Sequence, residues 1–280
     1  MLEIKNLIDL ALAEDMPGRK DITSDVLAQS LQKKQKFGIA KLKAKQNLTL
    51  SASVLFEETM KTEDPSIQIM WQFKDSQKIS SGQNVCSLEG NLISILRAER
   101  VALNFLGRFS GIATMTQKFS DAIQGTKTRI LDTRKTMPLY RDWEKKAVRD
   151  GGALNHRRDL SDRVMIKDNH IAMMGSIENA VIQMRKDSTR PLIVEASNLD
   201  QVIQCVSLKV DRILLDNMTN DQIKTCLNII PADIEVEVSG NMSLDRVLSV
   251  AELGVDFISV GAMTHSAPVA DFSLLIEWAD

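Results

Sequence analysis

Cationic side chains are concentrated in one stretch of this 280-residue sequence, between Thr128 and Ile171. A β-branched run at its start is followed by Asp-Thr-Arg-Lys, a second run at 164–166 is followed by Lys-Asp-Asn-His, and a His-Arg pair lies between them. Five cationic or titratable residues therefore lie at strand ends or in a loop: Arg134, Lys135, His156, Arg157 and Lys167. Cations focused in this way predict a pocket for a multiply charged anion.

Four further apolar runs follow, and each also ends in polar or small residues. Glu195 and Asp216 end the first two, while Ser239-Gly240-Asn241 and Gly261-Ala262 follow the last two and open helices. Carboxylates suit ribose hydroxyls or Mg²⁺, and glycine at a helix start lets backbone N–H groups approach a phosphate. Each residue alone is compatible with helix capping. Together, the six run ends predict one rim that binds a phosphate-bearing substrate.

The apolar runs alternate with helical patterns from Lys127 onward. Near-continuous apolar runs are typical of buried parallel strands, so the pattern predicts six strand–helix units of the α/β class. A (β/α) barrel with fewer than eight strands is one arrangement, and an open doubly wound sheet is the alternative. In a barrel the carboxyl ends of all strands face one rim, which would gather the six run ends.

The first 90 residues have a different pattern. Alternation at 37–45, 67–73 and 84–89 predicts strands, and helical spacing near the start and at 54–60 predicts helices. A long helical segment follows at 91–124, which we expect Gly107 and Gly111 to break or kink. We therefore predict a small first domain at 1–110 and a barrel at 111–266. We expect the tail, 267–280, to form a helix that packs back on the first domain.

Composition excludes several classes of protein. The formal net charge of −2 and the pI near 6.0 argue against a nucleic-acid partner. No apolar run approaches the ~18 residues of a membrane span, and charges interrupt the N-terminal segment, so neither an anchor nor a signal peptide is expected. Three scattered cysteines without a CxxC motif indicate a reducing compartment, and we expect the cytoplasm.

Several short motifs then carry a resemblance that covers nearly the whole chain. They are DTRKT, GGxxNHR, IKDNH, the Glu of IVEASN, LLDNM, VEVSG and GVDFISVGAxTHS, in this order. The set closely resembles the quinolinate phosphoribosyltransferase family (nicotinate-nucleotide pyrophosphorylase, carboxylating). The resemblance implies an N-terminal α/β sandwich domain plus a partly open (β/α) barrel, the type II phosphoribosyltransferase fold.

The same resemblance implies an activity. Quinolinate and phosphoribosyl pyrophosphate would give nicotinate mononucleotide, pyrophosphate and CO₂, a step of de novo NAD biosynthesis that uses Mg²⁺. It also implies a homodimer, or a larger assembly such as a hexamer, in which Arg100 reaches the partner subunit's pocket. No covalent nucleophile and no organic cofactor are expected, because the quaternised pyridinium itself collects the electrons of decarboxylation.

The resemblance implies a role for each site residue. Arg134, His156, Arg157 and Lys167 would surround the two carboxylates of quinolinate, and Lys135 would contact the pyrophosphoryl donor. Thr133 is a further substrate-binding residue. Glu195 and Asp216 would hold ribose hydroxyls directly or through Mg²⁺, with water as a further bridge. Lys135, Lys167, Glu195 and Asp216 form the implied catalytic set. The 5′-phosphate would be held by Ser239, Gly240, Asn241, Gly261 and Ala262.

This sequence departs from the family pattern at three places. Met137-Pro138-Leu139 replaces Thr-Pro-Gly, Ala153 replaces a glycine, and Asn241 replaces the last glycine of Ser-Gly-Gly. Three alternatives stay open: a molybdenum-transport-associated pyrophosphorylase-like relative, a Schiff-base aldolase using Lys167, and a non-enzymatic phospholigand-binding protein. His170 and His265 are interpreted as structural hydrogen-bonding residues.

Overall fold

The computed structural model describes residues 4–31 and 36–277, and the chain forms two compact units. One is drawn from Met1–Gln117, Pro138–Gly152 and Ala267–Asp280, and the other from Lys118–Met137 and Ala153–Ser266. The domain bounds given above stay a prediction, although segment 138–152, which lies between two barrel strands in sequence, groups with the first unit.

The secondary structure follows the predicted alternation. The first part of the chain contains α1 (Ile4–Asp15), a 3₁₀ turn (Pro17–Arg19), α2 (Ile22–Ser30), β1 (Phe37–Ala44), β2 (Leu48–Thr49), α3 (Ser53–Glu63), β3 (Gln68–Trp71), β4 (Lys78–Ile79), β5 (Asn84–Asn91) and α4 (Leu92–Ala122). The second part contains β6 (Arg129–Leu131), α5 (Arg141–Asp150), β7 (Val164–Ile166), α6 (Asp168–Met174), α7 (Ile177–Asp187), β8 (Leu192–Ala196), α8 (Leu199–Ser207), β9 (Arg212–Asp216), α9 (Asn220–Leu227), β10 (Glu235–Ser239), α10 (Leu244–Ala251), β11 (Phe257–Ser259), α11 (Ala262–His265) and β12 (Phe272–Glu277).

An antiparallel sheet in the order β12-β1-β5-β3 organises the first unit. The tail is therefore a strand, and the predicted helix is wrong for 272–277; residues 278–280 lie outside the described part. The physical reason is the spacing of Phe272, Leu274 and Ile276, which alternate and pack on the unit's apolar core. The β1–β12 pairing gives the strand its ladder, with Lys41 opposite Leu275.

Helix α4 runs without a break through Gly107 and Gly111, so the predicted break is wrong. A Cβ on Gly111 would lie 2.0 Å from the carbonyl oxygen of Pro268, and one on Gly107 would lie 2.8 Å from Val269. The Ala270 N–H also donates to the Gly107 carbonyl at 2.9 Å. The two glycines therefore serve the close approach of the tail segment.

The second unit is built on a six-stranded parallel sheet in the order β6-β11-β10-β9-β8-β7. From β7 to β11 each strand is added on the same side, and right-handed crossovers then place the helices on one face. The first strand, β6, pairs with the last, β11, so the sheet curls onto itself. Within the described residues no ladder joins β6 to β7. The predicted partly open (β/α) barrel is confirmed, and the doubly wound alternative is wrong.

None of the helices that the structure describes combines the length and the apolar character that a membrane span requires.

Candidate active site

A cavity of about 950 Å³ opens at the carboxyl ends of the barrel strands, entirely within the second unit. Thirteen of the fourteen residues predicted for the site line it: Thr133, Arg134, Lys135, His156, Arg157, Lys167, Glu195, Asp216, Ser239, Gly240, Asn241, Gly261 and Ala262. The exception, Arg100, belongs to the other unit, where it is exposed on α4. The curled sheet thus brings the six strand ends together, whereas the roles of these residues stay predictions.

Two guanidinium groups form the cationic wall of the cavity. Burial lowers the pKa of Arg157, and the nearby charge of Arg134 lowers it further, against the opposing effect of Asp162. The Nε of Arg134 is buried without a hydrogen-bond partner among the described residues. Two like charges held this close, one with an unsatisfied donor, favour a ligand that carries more than one negative charge.

The loop that carries Arg157 is fastened to the end of β6 by a carboxylate. Asp132 is fully buried and accepts the backbone N–H of His156 at 2.6 Å and the side-chain amide of Asn155 at 2.8 Å. The strand is extended by an isolated parallel bridge between Leu131 and Leu154. Asp132 therefore fixes the position of this loop relative to the end of β6, a role that we did not predict from the sequence.

Lys167, which follows β7, and Glu195, near the end of the neighbouring strand β8, form an ion pair. Burial raises the pKa of Glu195 to about 7, the hydrogen bond with Asp168 adds to this, and Lys167 opposes it. The shared hydrogen bond correspondingly lowers the pKa of Asp168. Nearby, the Lys167 backbone N–H donates to Nδ1 of His170 at 3.0 Å, and this bond caps α6, so His170 makes a structural hydrogen bond as expected.

Asp216 closes β9 opposite the predicted phosphate loop. Its carboxylate accepts from the Ser239 hydroxyl at 2.5 Å and from the Asn217 amide at 2.6 Å. Gly240 has φ +97, and a Cβ there would lie 2.2 Å from the Asn217 side chain, so only glycine fits. Asn241 has φ +45, a left-handed conformation that asparagine tolerates.

The second glycine of the rim lies beside a predicted cation. A Cβ on Gly261 would lie 3.2 Å from both the Lys135 side chain and the His265 ring. The absence of a side chain thus lets Lys135 lie against the start of α11. His265 is exposed and lines the cavity, and its Nδ1 contacts the Ser266 hydroxyl at 2.5 Å.

Glu237, which was not predicted from the sequence, is fully buried and lines the cavity. Strand alternation would have found it, because Ser239 was already placed at the rim and every second residue of a strand shares a face. An apolar cluster of Met165, Ile193 and Leu214 was not predicted either, and two of its members, Met165 and Leu214, line the cavity.

The departures from the family pattern fall at distinct places. Leu139 is exposed with φ +69, a conformation suited to the glycine that it replaces. Met137 is also exposed, while Ala153 is buried. Met137, Leu139 and Ala153 are not among the cavity-lining residues, whereas Asn241 is.

Two family models match the chain. The quinolinate phosphoribosyl transferase N-terminal domain matches residues 21–110, and the C-terminal domain matches residues 112–275. A relative from Synechocystis sp., described as a probable nicotinate-nucleotide pyrophosphorylase [carboxylating], is 40% identical over 270 residues, which are 95% of this chain and 90% of that protein.

Solved structures agree with these matches. The nicotinate-nucleotide pyrophosphorylase from Francisella tularensis is 37% identical with a TM-score of 0.89, over 98% of this chain and 96% of that one. The nicotinate-nucleotide pyrophosphorylase from Ehrlichia chaffeensis is 35% identical with a TM-score of 0.93, over 98% and 99% of the two chains.

Proposed function

This chain belongs to the quinolinate phosphoribosyltransferase family, and from that premise we propose that it transfers the phosphoribosyl group of phosphoribosyl pyrophosphate to quinolinate. The products are nicotinate mononucleotide, pyrophosphate and CO₂, which makes the chain a pentosyltransferase of NAD biosynthesis. One observation carries the proposal: a single cavity joins a cationic wall, two carboxylates and two glycine-containing loops.

The cationic wall suits the two carboxylates of quinolinate. Arg134 and Arg157 each present a planar fork that binds a carboxylate through two parallel hydrogen bonds. Lys167 adds a third positive charge at the same rim. A dianion would relieve the repulsion between the two guanidinium groups, which supports a dicarboxylate over a monocarboxylate such as nicotinate.

The two carboxylates suit the ribose. In the transfer step the bond from C1′ to the pyrophosphate oxygen breaks while the bond from the pyridine nitrogen to C1′ forms, so positive charge develops at C1′. Glu195 and Asp216 would hold ribose hydroxyls and stabilise that charge, and fixed charge aimed at developing charge is a leading catalytic effect. Asp216 is already oriented by Ser239 and Asn217.

The loops suit the two phosphate groups. Ser239, Gly240 and Asn241, with Gly261 and Ala262, would hold the 5′-phosphate through backbone N–H groups. Thr133 and Lys135 would contact the pyrophosphate. The Lys135 backbone N–H already donates to the Thr133 hydroxyl at 3.0 Å, which fixes this turn at the end of β6.

Mg²⁺ would reach this site with the donor. Magnesium in such sites is held by one or two carboxylates together with substrate phosphates and water. Glu195 and Asp216 offer those two carboxylates, whereas the described residues contain no group of three metal-ligating side chains. The donor set therefore fits an ion carried by pyrophosphate, where it would neutralise the departing charge.

Decarboxylation follows from the new pyridinium. The carbon–carbon bond to one carboxylate breaks, its electron pair enters the cationic ring, CO₂ leaves, and a proton replaces it on the ring carbon. This chain's part is to bind and orient the ring. Met165 and Leu214 offer it an apolar wall.

The test is a set of parallel assays with the full chain, phosphoribosyl pyrophosphate and Mg²⁺. Quinolinate, nicotinate and nicotinamide are offered separately, and pyrophosphate release is measured together with CO₂. We expect turnover with quinolinate alone. Turnover with nicotinate but not quinolinate would contradict the proposal, as would donor binding without any release of pyrophosphate.

We also propose a homodimer, or a hexamer built from such dimers, in which Arg100 completes the partner's pocket. Its exposure on α4 supports this. Arg100→Ala and Lys167→Ala proteins should each be inactive, and co-refolding the two should restore about a quarter of wild-type activity, because half of the dimers then hold one intact site. If the mixture stays inactive while mixed dimers are shown to form, Arg100 does not act across the interface.

A cytoplasmic location is the last part of the proposal. It is supported by three buried free cysteines, Cys86, Cys205 and Cys226. Unpaired thiols are typical of reducing compartments.

A further inference from the structure

Glu237 is a buried carboxylate at the cavity wall to which the proposed reaction gives no role. It lies in β10 with 0% of its surface exposed, two residues before Ser239. An ionised carboxylate in such a place needs partners that offset its loss of water.

Two side chains, Arg212 and Ser259, donate hydrogen bonds to the Glu237 carboxylate. Arg212 Nη1 donates to Oε2 at 3.1 Å, and the Ser259 hydroxyl donates to Oε1 at 2.5 Å. Arg212 is itself held by Glu235, whose Oε2 accepts from Nε at 2.8 Å, and its guanidinium lies 4.0 Å from the centre of the Phe257 ring.

His156 connects this carboxylate to the cationic wall. Its Nε2 lies 3.2 Å from Oε2 of Glu237, and its Nδ1 accepts the backbone N–H of Arg157 at 2.6 Å. A backbone N–H can only donate, so Nδ1 carries no proton in this arrangement and Nε2 is the donor. The ring is then neutral, and both of its nitrogens are bonded within the protein.

We propose that Glu237 is a positioning residue for Arg157. Its anchored carboxylate fixes the orientation and tautomer of the His156 ring, and Nδ1 of that ring fixes the backbone at Arg157. His156 then acts as the link between the two. The inference rests on the proposed function in one respect, because there the Arg157 guanidinium binds a quinolinate carboxylate.

The tautomer is tested on the native protein without substrate. The chain has three histidines, so ¹⁵N-imidazole NMR spectra can be assigned with His170→Gln and His265→Gln variants. We expect the His156 ring to show Nε2–H and an unprotonated Nδ1 at pH 7.5. A doubly protonated ring, or the Nδ1–H tautomer, would overturn the proposal whatever the enzyme's substrate is.

Kinetics test the consequence. Glu237→Ala should raise KM for quinolinate by about tenfold or more with a smaller change in kcat, because a displaced binding group costs roughly that much. Glu237→Gln should restore most of the lost affinity. Its amide oxygen can accept from Arg212 and His156, and its NH₂ can donate to Ser259.

The matched control is Glu235→Gln, which removes a carboxylate from the same arginine without touching His156. It should leave KM for quinolinate unchanged. A Glu237→Ala KM within about twofold of wild type, or a Glu237→Gln protein no better than Glu237→Ala, would refute the positioning role. If Glu237→Ala does not fold, the tautomer of His156 in the native protein alone tests the positioning role. If the wild type does not turn over quinolinate, the proposed function is refuted, but the tautomer test still applies.

Discussion

The interiors of the two units are built differently. In the first unit one apolar cluster runs through the sheet and the helices packed on it, and Leu42, Phe56 and Leu88 are fully buried within it. In the second unit the barrel interior holds a small apolar cluster beside a buried chain of charges, Arg212 and Glu237. Apolar burial stabilises a fold without direction, whereas buried charges need fixed partners. Both units bury apolar side chains, and in the second unit Arg212 and Glu237 in addition have fixed places at the cavity wall.

The largest expected effect breaks the first interior. Phe56→Ala removes a fully buried ring that packs edge-on against Trp71 at 5.6 Å, and should lower the free energy of unfolding by about 3–5 kcal/mol. Urea unfolding measures this. Quinolinate turnover per folded molecule should stay near that of the wild type.

The matched control for that change is Met70→Ala, at an exposed position of β3 in the same sheet. It should change the free energy of unfolding by less than about 0.5 kcal/mol. A Phe56→Ala protein that is folded by circular dichroism but inactive would show that the two interiors are not separable in this way.

The next effect breaks the second interior without removing charge. Arg157→Lys keeps the positive charge but loses the guanidinium fork, so kcat/KM for quinolinate should fall by far more than about tenfold. The unfolding free energy should change little. Arg163→Lys, at an exposed position in the same loop, is the control and should behave as wild type. Near-normal turnover of Arg157→Lys would contradict bidentate binding.

The pH dependence of the free energy of unfolding tests whether Glu195, a residue of the cavity, lowers the stability of the second unit. The folded state raises the pKa of Glu195 from 4.5 to about 7, so it favours the protonated carboxyl. As the pH rises through that window the unfolded state loses its proton first, and the wild type should lose roughly 2–4 kcal/mol of stability.

Glu195→Gln cannot titrate and should lack this loss, so it should be more stable than wild type above pH 7 while being nearly inactive. Urea unfolding between pH 4.5 and 8, without metal or substrate, measures the difference. An identical pH slope in both proteins would show that Glu195 does not carry the effect.

The smallest predicted change in stability comes from Leu139, an exposed residue that belongs to neither interior. Leu139 is exposed in a left-handed conformation, which costs a non-glycine residue roughly 1–2 kcal/mol. Glycine would remove this strain, but its greater freedom in the unfolded chain lowers the free energy of unfolding by about 0.5–1 kcal/mol. Leu139→Gly should therefore stabilise the protein by less than about 1 kcal/mol, seen as a small rise in Tm. A clear fall in Tm would mean that the exposed Leu139 side chain makes contacts that stabilise the folded protein by more than the backbone strain costs.

Much of the site could be predicted from the sequence because it sits at strand ends. Arg134, Lys167, Glu195 and Asp216 each follow an apolar run, and parallel strands in one sheet align those ends. Alternation in β10 places Glu237 on the same face as Ser239, but it does not show what the buried carboxylate bonds to. Its partners, Arg212, His156 and Ser259, are distant in sequence and meet only in the barrel.

The type and order of the barrel elements could be predicted without coordinates, since periods of two and 3.6 are local properties of the chain. The side chains that the strand ends present could be predicted in the same way. Three features follow instead from contacts in the folded chain: β6 pairs with β11, α4 passes unbroken along the tail, and the tail is a strand. Each of these depends on pairing or close approach between segments far apart in sequence, where local propensity is overridden by packing and ladder hydrogen bonds.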